Sequence, residues 1–417
     1  MYTTDVGTTW AGTHTFGARR LYLPGSLSEA AEIVGSLDRV RAVGTRHSFN
    51  DIADGETMIS LVQLEPDVQL DEQARTVSVC SGTRYGVLAS WLHDRGWALR
   101  NMGSLPHISI GGATATGTHG SGDTNGILST AVAGVQLINA EGEVLDFDRS
   151  HPEFAGIVPS LGALGIITRL TVDIEPTYEV RQDVFRDLPW EAVIGEIDTV
   201  MAAGYSVSIF TVWDEPTASR VLVKSRLDVD AEVPTELFGA PAMHHGDPEL
   251  AALGANRTVQ GGIPGPWLER LPHFRVDANP SNGDEIQSEY FVDRRHGAAA
   301  MDALRGLASE IAPHLIASEI RSTAADNLWL SMAYERPSLA IHFTWLNRPD
   351  ALTNLLPRIE KVLAPFDARP HWGKTFVAQA DLMKTLYPRL PDFQALRNRM
   401  DPTGKFSNDY LRRVIGS

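Results

Sequence analysis

A chain of 417 residues and 45.5 kDa, 43% of it apolar, is long enough for two or three domains with large cores. Its 36 Lys+Arg against 52 Asp+Glu leave a net charge of −16, which speaks against nucleic acid or an anionic membrane face as partner and favours a neutral or cationic ligand. The single cysteine, Cys80, excludes an intramolecular disulfide and a thiolate metal cluster, and 36 Gly with 24 Pro predict tight connections in a loop-rich α/β enzyme. Residues 1–25 lack an apolar core of signal-peptide length, and no run reaches the ~18 apolar residues of a membrane helix, so the expectation is a cytoplasmic protein without a membrane partner.

In chain order, Ser26 and Glu29 form a capping box that predicts a short helix, and Arg41-Ala42-Val43-Gly44 reads as a brief strand. Arg75 to Val79 is a second strand with Val77 and Val79 on one face. Leu88, Trp91 and Leu92 recur at helical spacing between Tyr85 and Gly96. Gln136-Leu137-Ile138 and Val144-Leu145-Asp146 flank Glu141-Gly142 as a hairpin; Ile166, Thr168, Leu170, Val172 and Ile174 line one face of a long strand that Pro176 closes. The texture then changes. Strands near Ser206–Trp213 and Arg220–Ser225 precede a Pro/Gly-rich tract, Pro241 to Gly283, which reads as a long surface loop. An Ala-rich helix from Asp293 to Ile311, a strand Leu315–Arg321, a further helix and a strand Ser338–Trp345 predict an α+β unit with an antiparallel sheet, spanning Thr177 to Pro365. From residue 366 the chain is expected to return to the first domain, with Met400 to Phe406 as a turn.

Common chemical signatures are missing: no H-E-x-x-H, no P-loop, and a Gly120-to-Asn125 run that misses the third glycine of the dinucleotide fingerprint. The densest feature runs from Asn101 to Gly122, where Gly, Ala, Ser and Thr without bulky side chains allow backbone amides and hydroxyls to converge on an anion; a sharp loop is the plainer alternative. His47 follows a strand within Val43-Gly44-Thr45-Arg46-His47-Ser48, either as a reactive group or as one more satisfied polar residue. Strand periodicity puts Glu319 with Arg321, and His342 with Thr344, on polar faces opposite apolar ones. Such faces meet a cavity or solvent.

These segments, with Thr9-Trp10-Ala11-Gly12, Ser160 to Gly165, Gly265-Pro266-Trp267, Glu289-Tyr290, Arg369 to Lys374 and Gly404-Lys405-Phe406, resemble the alditol oxidases, xylitol oxidases included, of the vanillyl-alcohol-oxidase-type flavoprotein family. The resemblance implies an α+β protein: a two-part PCMH-type FAD-binding domain over 1–176, an α+β cap or substrate domain with an antiparallel sheet over 177–365, and a C-terminal return over 366–417 carrying Lys374. It implies FAD joined through the 8α-methyl to His47, with contacts from Val43, Gly44, Thr45, Arg46, Ser48, Ser104, Ser109, Gly112, Ala113, Thr114, Ala115, Thr116, Gly117 and Ile166. The polyol site would comprise Ser104, Glu319, Arg321, His342, Thr344 and Lys374, with Lys374, Arg321 and Glu319 catalytic and no metal. The implied activity is oxidation of a terminal alcohol of xylitol or sorbitol to the aldose, with dioxygen reduced to hydrogen peroxide by a protein acting as a monomer. Two alternatives stay open: an aldonolactone oxidase or dehydrogenase of the same fold, and a non-catalytic flavin- or sugar-binding protein. Arg46 and Gly103 depart from the family pattern, so Arg46 must turn away or meet a phosphate.

Overall fold

The computed structural model describes residues 1–230, 232–278 and 283–416; position 231, residues 279–282 of the Pro/Gly-rich tract and position 417 lie outside the described residues. Near the N-terminus a four-stranded sheet takes the order Tyr2–Thr3, Arg20–Tyr22, Thr57–Ile59, Arg41–Ala42, with the last three parallel. Ser26 caps the helix Leu27–Ser36 by accepting from the Glu29 amide at 3.1 Å. The reciprocal half of the box differs from expectation: the Glu29 carboxylate takes the Gly25 amide at 2.6 Å and the N-terminal ammonium at 2.7 Å.

A five-stranded antiparallel sheet follows, ordered Gln69–Asp71, Thr76–Cys80, Ile166–Asp173, Val132–Ile138, Val144–Asp148. Ile166, Thr168, Leu170 and Val172 are buried while their neighbours are half-buried, as period-2 patterning requires. Much of the small-residue tract is not a loop. Seven of its residues, Ile110–Thr116, form a helix ended by Gly117 in the left-handed conformation at φ 71°. Gly111 lets that helix touch the sheet, because a Cβ there would lie 2.8 Å from Cβ of Ser81.

The second half is dominated by an eight-stranded antiparallel sheet: Gly265–Pro266, Glu179–Pro189, Thr217–Arg226, Ser206–Thr211, Leu315–Thr323, Ser338–Leu346, Glu285–Asp293, Arg369–Pro370. One face buries Phe185, Ile209, Val221, Ile320, Ile341 and Phe343 against helices that include Gly297–Arg305 and Pro349–Leu363. The opposite face carries polar side chains into a cavity. The C-terminal helices Ala380–Leu386, Leu390–Met400 and Asp409–Ile415 place Met383, Phe393, Leu411 and Val414 in one core cluster with Leu88, Leu92, Leu170 and Val172 of the N-terminal half.

Four expectations need correction. The eleven-residue strand Glu179–Pro189 was not predicted, because its burial is nearly continuous instead of alternating and its polar residues hide it. The tract 241–283 is not only a surface loop: Trp267, Leu268, Leu271, Thr258 and His273 are buried. No helix separates Thr323 from Ser338. That segment folds as turns organised by Asp326, which accepts from the Ser331 hydroxyl at 2.6 Å and the Leu328 amide at 2.9 Å, and it buries Trp329, Leu330 and Met332. The Ala-rich helix is broken into Gly297–Arg305 and Ala308–Ile311 at Gly306. Among the described residues no helix is long and apolar enough to cross a membrane.

Candidate active site

A cavity of about 740 Å³ lies between the small-residue segments of the N-terminal half and the polar face of the large sheet. Sheet register aligns its polar wall. Across five strands the direct partners are Arg220, Phe210, Glu319, His342 and Glu289, so their side chains share one face. Arg321 and Thr344 lie two residues along on the same face of their strands, and Lys374 enters from the segment after Arg369–Pro370.

Glu289 organises this wall. Its side chain has 0% exposure; Oε2 lies 2.7 Å from Lys374 Nζ, and Oε1 lies 3.0 Å from Arg321 Nη2 and 3.2 Å from His119 Nε2. Burial alone would raise its pKa, but Lys374, His119 and Arg321 outweigh burial and hold it well below the ordinary carboxylate range. Lys374 has three N–H donors: one meets Glu289, a second lies 2.7 Å from His342 Nδ1, and the third is left for the cavity that Lys374 lines. Burial lowers the Lys374 pKa, and Glu289 pulls the other way.

His342 has its pKa pushed down to about 3 by burial and the neighbouring ammonium, so it is neutral. With Nδ1 accepting from Lys374, the proton sits on Nε2, which donates to Thr344 Oγ1 at 3.0 Å and leaves the Thr344 hydroxyl free to donate. Arg321 Nη1 reaches Ser104 Oγ at 3.3 Å. Glu319 accepts from His273 Nε2 at 2.8 Å and faces Arg321 Nε at 3.7 Å; burial opposes its ionisation, and Arg321 with His273 prevail, holding it well below the ordinary range. His119, Glu289 and His371 bring ligand-type atoms within 4.8 Å of one another, yet each Glu289 oxygen already meets a cation.

At the other end, the His47 ring stacks on Trp10, centroids 5.3 Å apart and planes at 23°, and its Nδ1 lies 3.1 Å from Thr45 Oγ1. Burial first, then His107 and Arg84, lowers its pKa to about 4, which keeps a nitrogen lone pair available at neutral pH. Gly44 is required here, since a Cβ would fall 2.2 Å from Ser109 Oγ. Arg46 adopts φ 65° and lays its guanidinium over the Phe16 ring, at 5.7 Å, with both residues lining the cavity.

Of the residues expected near a cofactor, Val43, Gly44, Thr45, Arg46, His47, Ser48, Ser104, Ser109, Gly112, Ala113, Ala115, Thr116 and Ile166 line the cavity. Thr114 and Gly117 do not: Thr114 is buried on the far side of the helix, where its carbonyl accepts from Ser129, and Gly117 faces Met332. Ser104, Glu319, Arg321, His342, Thr344 and Lys374 all line it. Sequence reasoning gave no role to Glu289, His119, His371 or His273. Glu289 had a signal, since Glu285, Gln287 and Glu289 alternate with Ile286, Ser288 and Tyr290, the pattern that revealed Glu319 and Arg321.

Residues 18–148 match the FAD binding domain family, and residues 279–414 match the D-arabinono-1,4-lactone oxidase family. An alditol oxidase from Streptomyces sp. is 43% identical over 412 residues, covering 98% of each chain. The chain belongs to the vanillyl-alcohol-oxidase-type family of FAD-linked oxidases. It is an FAD-dependent oxidoreductase acting on CH–OH groups, which removes the non-catalytic alternative. A second relative, L-gulono-1,4-lactone dehydrogenase of Mycobacterium tuberculosis, is 30% identical over 98% of each chain. The cholesterol oxidase structure from B. sterolicum covers 100% of this chain and 97% of its own at TM-score 0.78 and 14% identity, a likeness of fold.

The lining fits the cofactor. Among the described residues, the backbone amides of 44–48 donate to no protein acceptor, so five consecutive N–H groups are available to oxyanions beside the stacked His47.

Proposed function

We propose that this chain is an alditol oxidase that converts the terminal primary alcohol of a sugar alcohol such as xylitol or sorbitol to the aldose, passing electrons to dioxygen to give hydrogen peroxide. FAD, when bound, supplies the hydride acceptor and the reaction with oxygen. In this reading His47 carries the cofactor covalently, residues 1–176 and 366–417 form its binding domain, and 177–365 form the cap over the substrate.

The observation that carries the reading is the free N–H of Lys374 beside Arg321, both anchored on one buried carboxylate on the polar wall of the cavity. An alcohol placed there loses its proton more readily, because two cations stabilise the alkoxide as it forms. Holding both on Glu289 orients them before substrate arrives, so little reorganisation is needed during the reaction. Thr344 and Ser104 offer hydroxyls, and Glu319 offers a carboxylate, to the neighbouring hydroxyls of the chain. A site built from such groups discriminates against deoxy analogues, which would leave them unpaired.

The second reading, an aldonolactone oxidase or dehydrogenase, draws on the match of residues 279–414 to the lactone oxidase family and on the 30% identical relative. Steady-state turnover of xylitol, sorbitol and L-gulono-1,4-lactone, following peroxide and an artificial electron acceptor in parallel, separates them. Peroxide from the polyols with little from the lactone supports the alditol reading; the reverse preference, or acceptor reduction without peroxide, refutes it.

A further inference from the structure

The guanidinium of Arg257, which lines one end of the cavity, and that of Arg220, on the sheet row beside Phe210, have no part in the chemistry above. Along the aligned row, Glu319 follows His342, Phe210 follows Glu319, and Arg220 follows Phe210. Strands lie about 4.8 Å apart, so Phe210 stands about 10 Å along the sheet from His342, the reach of a pentitol or hexitol carrying one further group. Arg220 Cζ lies 5.5 Å over the Phe210 ring. Arg257 comes from the segment crossing this end: it bridges to Phe274, its Cζ lies 5.0 Å from that ring centroid, and the Phe274 amide donates to the Ser104 carbonyl at 3.3 Å. Phe210, Arg257 and Phe274 line the cavity.

Neither Arg220 nor Arg257 has a carboxylate within ion-pair distance among the described residues, whereas their neighbour Arg186 is paired with Glu249 and Asp187. Burial lowers the pKa of both; Arg257 further opposes the charge on Arg220, and only the more distant Glu319 offsets the charge on Arg257. Glu319 itself is engaged by His273 and Arg321. The other acids of the lining, Asp284, Glu285 and Glu289, sit on or just before the strand Glu285–Asp293, three strands from Phe210, and Glu289 is already engaged by Lys374 and Arg321. In a chain of net charge −16, a half-buried guanidinium with no acid beside it presents a donor fork suited to an oxyanion.

We propose that Arg257 is a specificity-determining residue that binds a carboxylate or phosphate on the end of the polyol opposite the oxidised alcohol, so that the preferred substrates are anion-terminated alditols. This reverses locally the preference that net charge alone suggests. It rests on the alcohol-oxidising reading of the Lys374 site, which places the reacting carbon at the other end of the row.

The test uses the flavin-loaded protein and its Arg257→Met variant. kcat/KM is measured for sorbitol, sorbitol 6-phosphate and gluconate at low and high ionic strength, and dissociation constants for the two anions are read from the change in flavin absorbance. At low salt the anionic compounds are expected to exceed sorbitol, with the advantage shrinking as salt rises. Arg257→Met should lower the anionic-to-neutral kcat/KM ratio at least about tenfold and weaken anion binding by a similar factor, the scale of a charge-assisted hydrogen bond. The larger of the phosphate and carboxylate effects identifies the oxyanion. Arg257→Lys keeps the charge, loses the fork and should fall between; it serves if the methionine variant does not fold. An unchanged ratio with unchanged dissociation constants overturns the proposal. Failure of both proteins to oxidise any of the three refutes the alditol reading instead, and the dissociation constants still decide the role of Arg257.

Discussion

Glu289→Gln is the most informative single change, because it removes one charge, keeps the shape, and touches both cations of the site. In the native protein Lys374 and Arg321 sit 2.7 and 3.0 Å from that carboxylate, with Glu289 and Arg321 buried and the Lys374 side chain only 14% exposed. A neutral amide leaves the buried Arg321 and the largely buried Lys374 without their shared counter-charge, and breaking a buried pair from one side costs about 3–5 kcal/mol. The midpoint of thermal unfolding should therefore drop by several degrees. Lys374 is already lowered by burial and is supported chiefly by Glu289, so its pKa should fall further in the variant. The sign follows: a function that needs the ammonium survives at low pH and fails as pH rises through the lowered pKa. We expect kcat/KM on xylitol to fall about tenfold at pH 6 and more than a hundredfold at pH 9, the scale of losing a positioned charge at the reacting group. Activity profiles from pH 5.5 to 9.5, with the flavin spectrum recorded at each point, provide the assay. A deficit that is constant across pH, or larger at the acid end, would refute the argument that Glu289 maintains the charge of Lys374.

Three further outcomes can be checked separately. Acid-precipitated wild-type protein should retain flavin fluorescence in the pellet and His47→Ala should release it; free flavin in the wild-type supernatant would sink covalent attachment through His47. Lys374→Ala should lower xylitol turnover at least about a hundredfold with the bound-flavin spectrum largely unchanged, and a wild-type rate would remove Lys374 from the chemistry. Gly103 is not at positive φ, and a Cβ there would meet Thr118 Cγ2 at 3.4 Å and the His119 carbonyl at 3.7 Å, ordinary contacts. Gly103→Val should therefore fold, and stopped-flow should show slower re-oxidation by dioxygen while anaerobic reduction by xylitol stays within a few-fold; equal loss in both would make Gly103 a packing residue with no part in oxygen access.

How much of this protein could be read from residues alone follows the range over which the physics acts. The Leu27–Ser36 helix, the hairpin at Glu141-Gly142 and the strand Ile166–Asp173 were legible because caps, turns and period-2 burial are encoded within a few residues. The pairing of Glu319 with Arg321 and of His342 with Thr344 on polar faces was legible for the same reason. The strand Glu179–Pro189 and the buried half of the 241–283 tract were not, since their apolar residues are buried by partners distant in sequence and show no local period. Trp267 in a run of Gly and Pro looks like a loop residue until the core that receives it is known.

Tertiary structure alone decided which charges meet. Three segments, at residues 119, 321 and 374, converge on the carboxylate of Glu289, and nothing in the spacing of these residues announces it. Only sheet register puts His342 between Glu289 and Glu319 and sets Phe210 and Arg220 beyond them. The protonation states follow from that convergence: a histidine in a sequence titrates near its ordinary value, whereas His342, buried beside an ammonium, is held neutral far below it. Sequence by itself determined which side chains with useful chemistry share a strand face, because alternation is a property of the extended backbone. Their electrostatics required the folded chain, because desolvation and charge–charge coupling depend on distances across the fold that no local pattern contains.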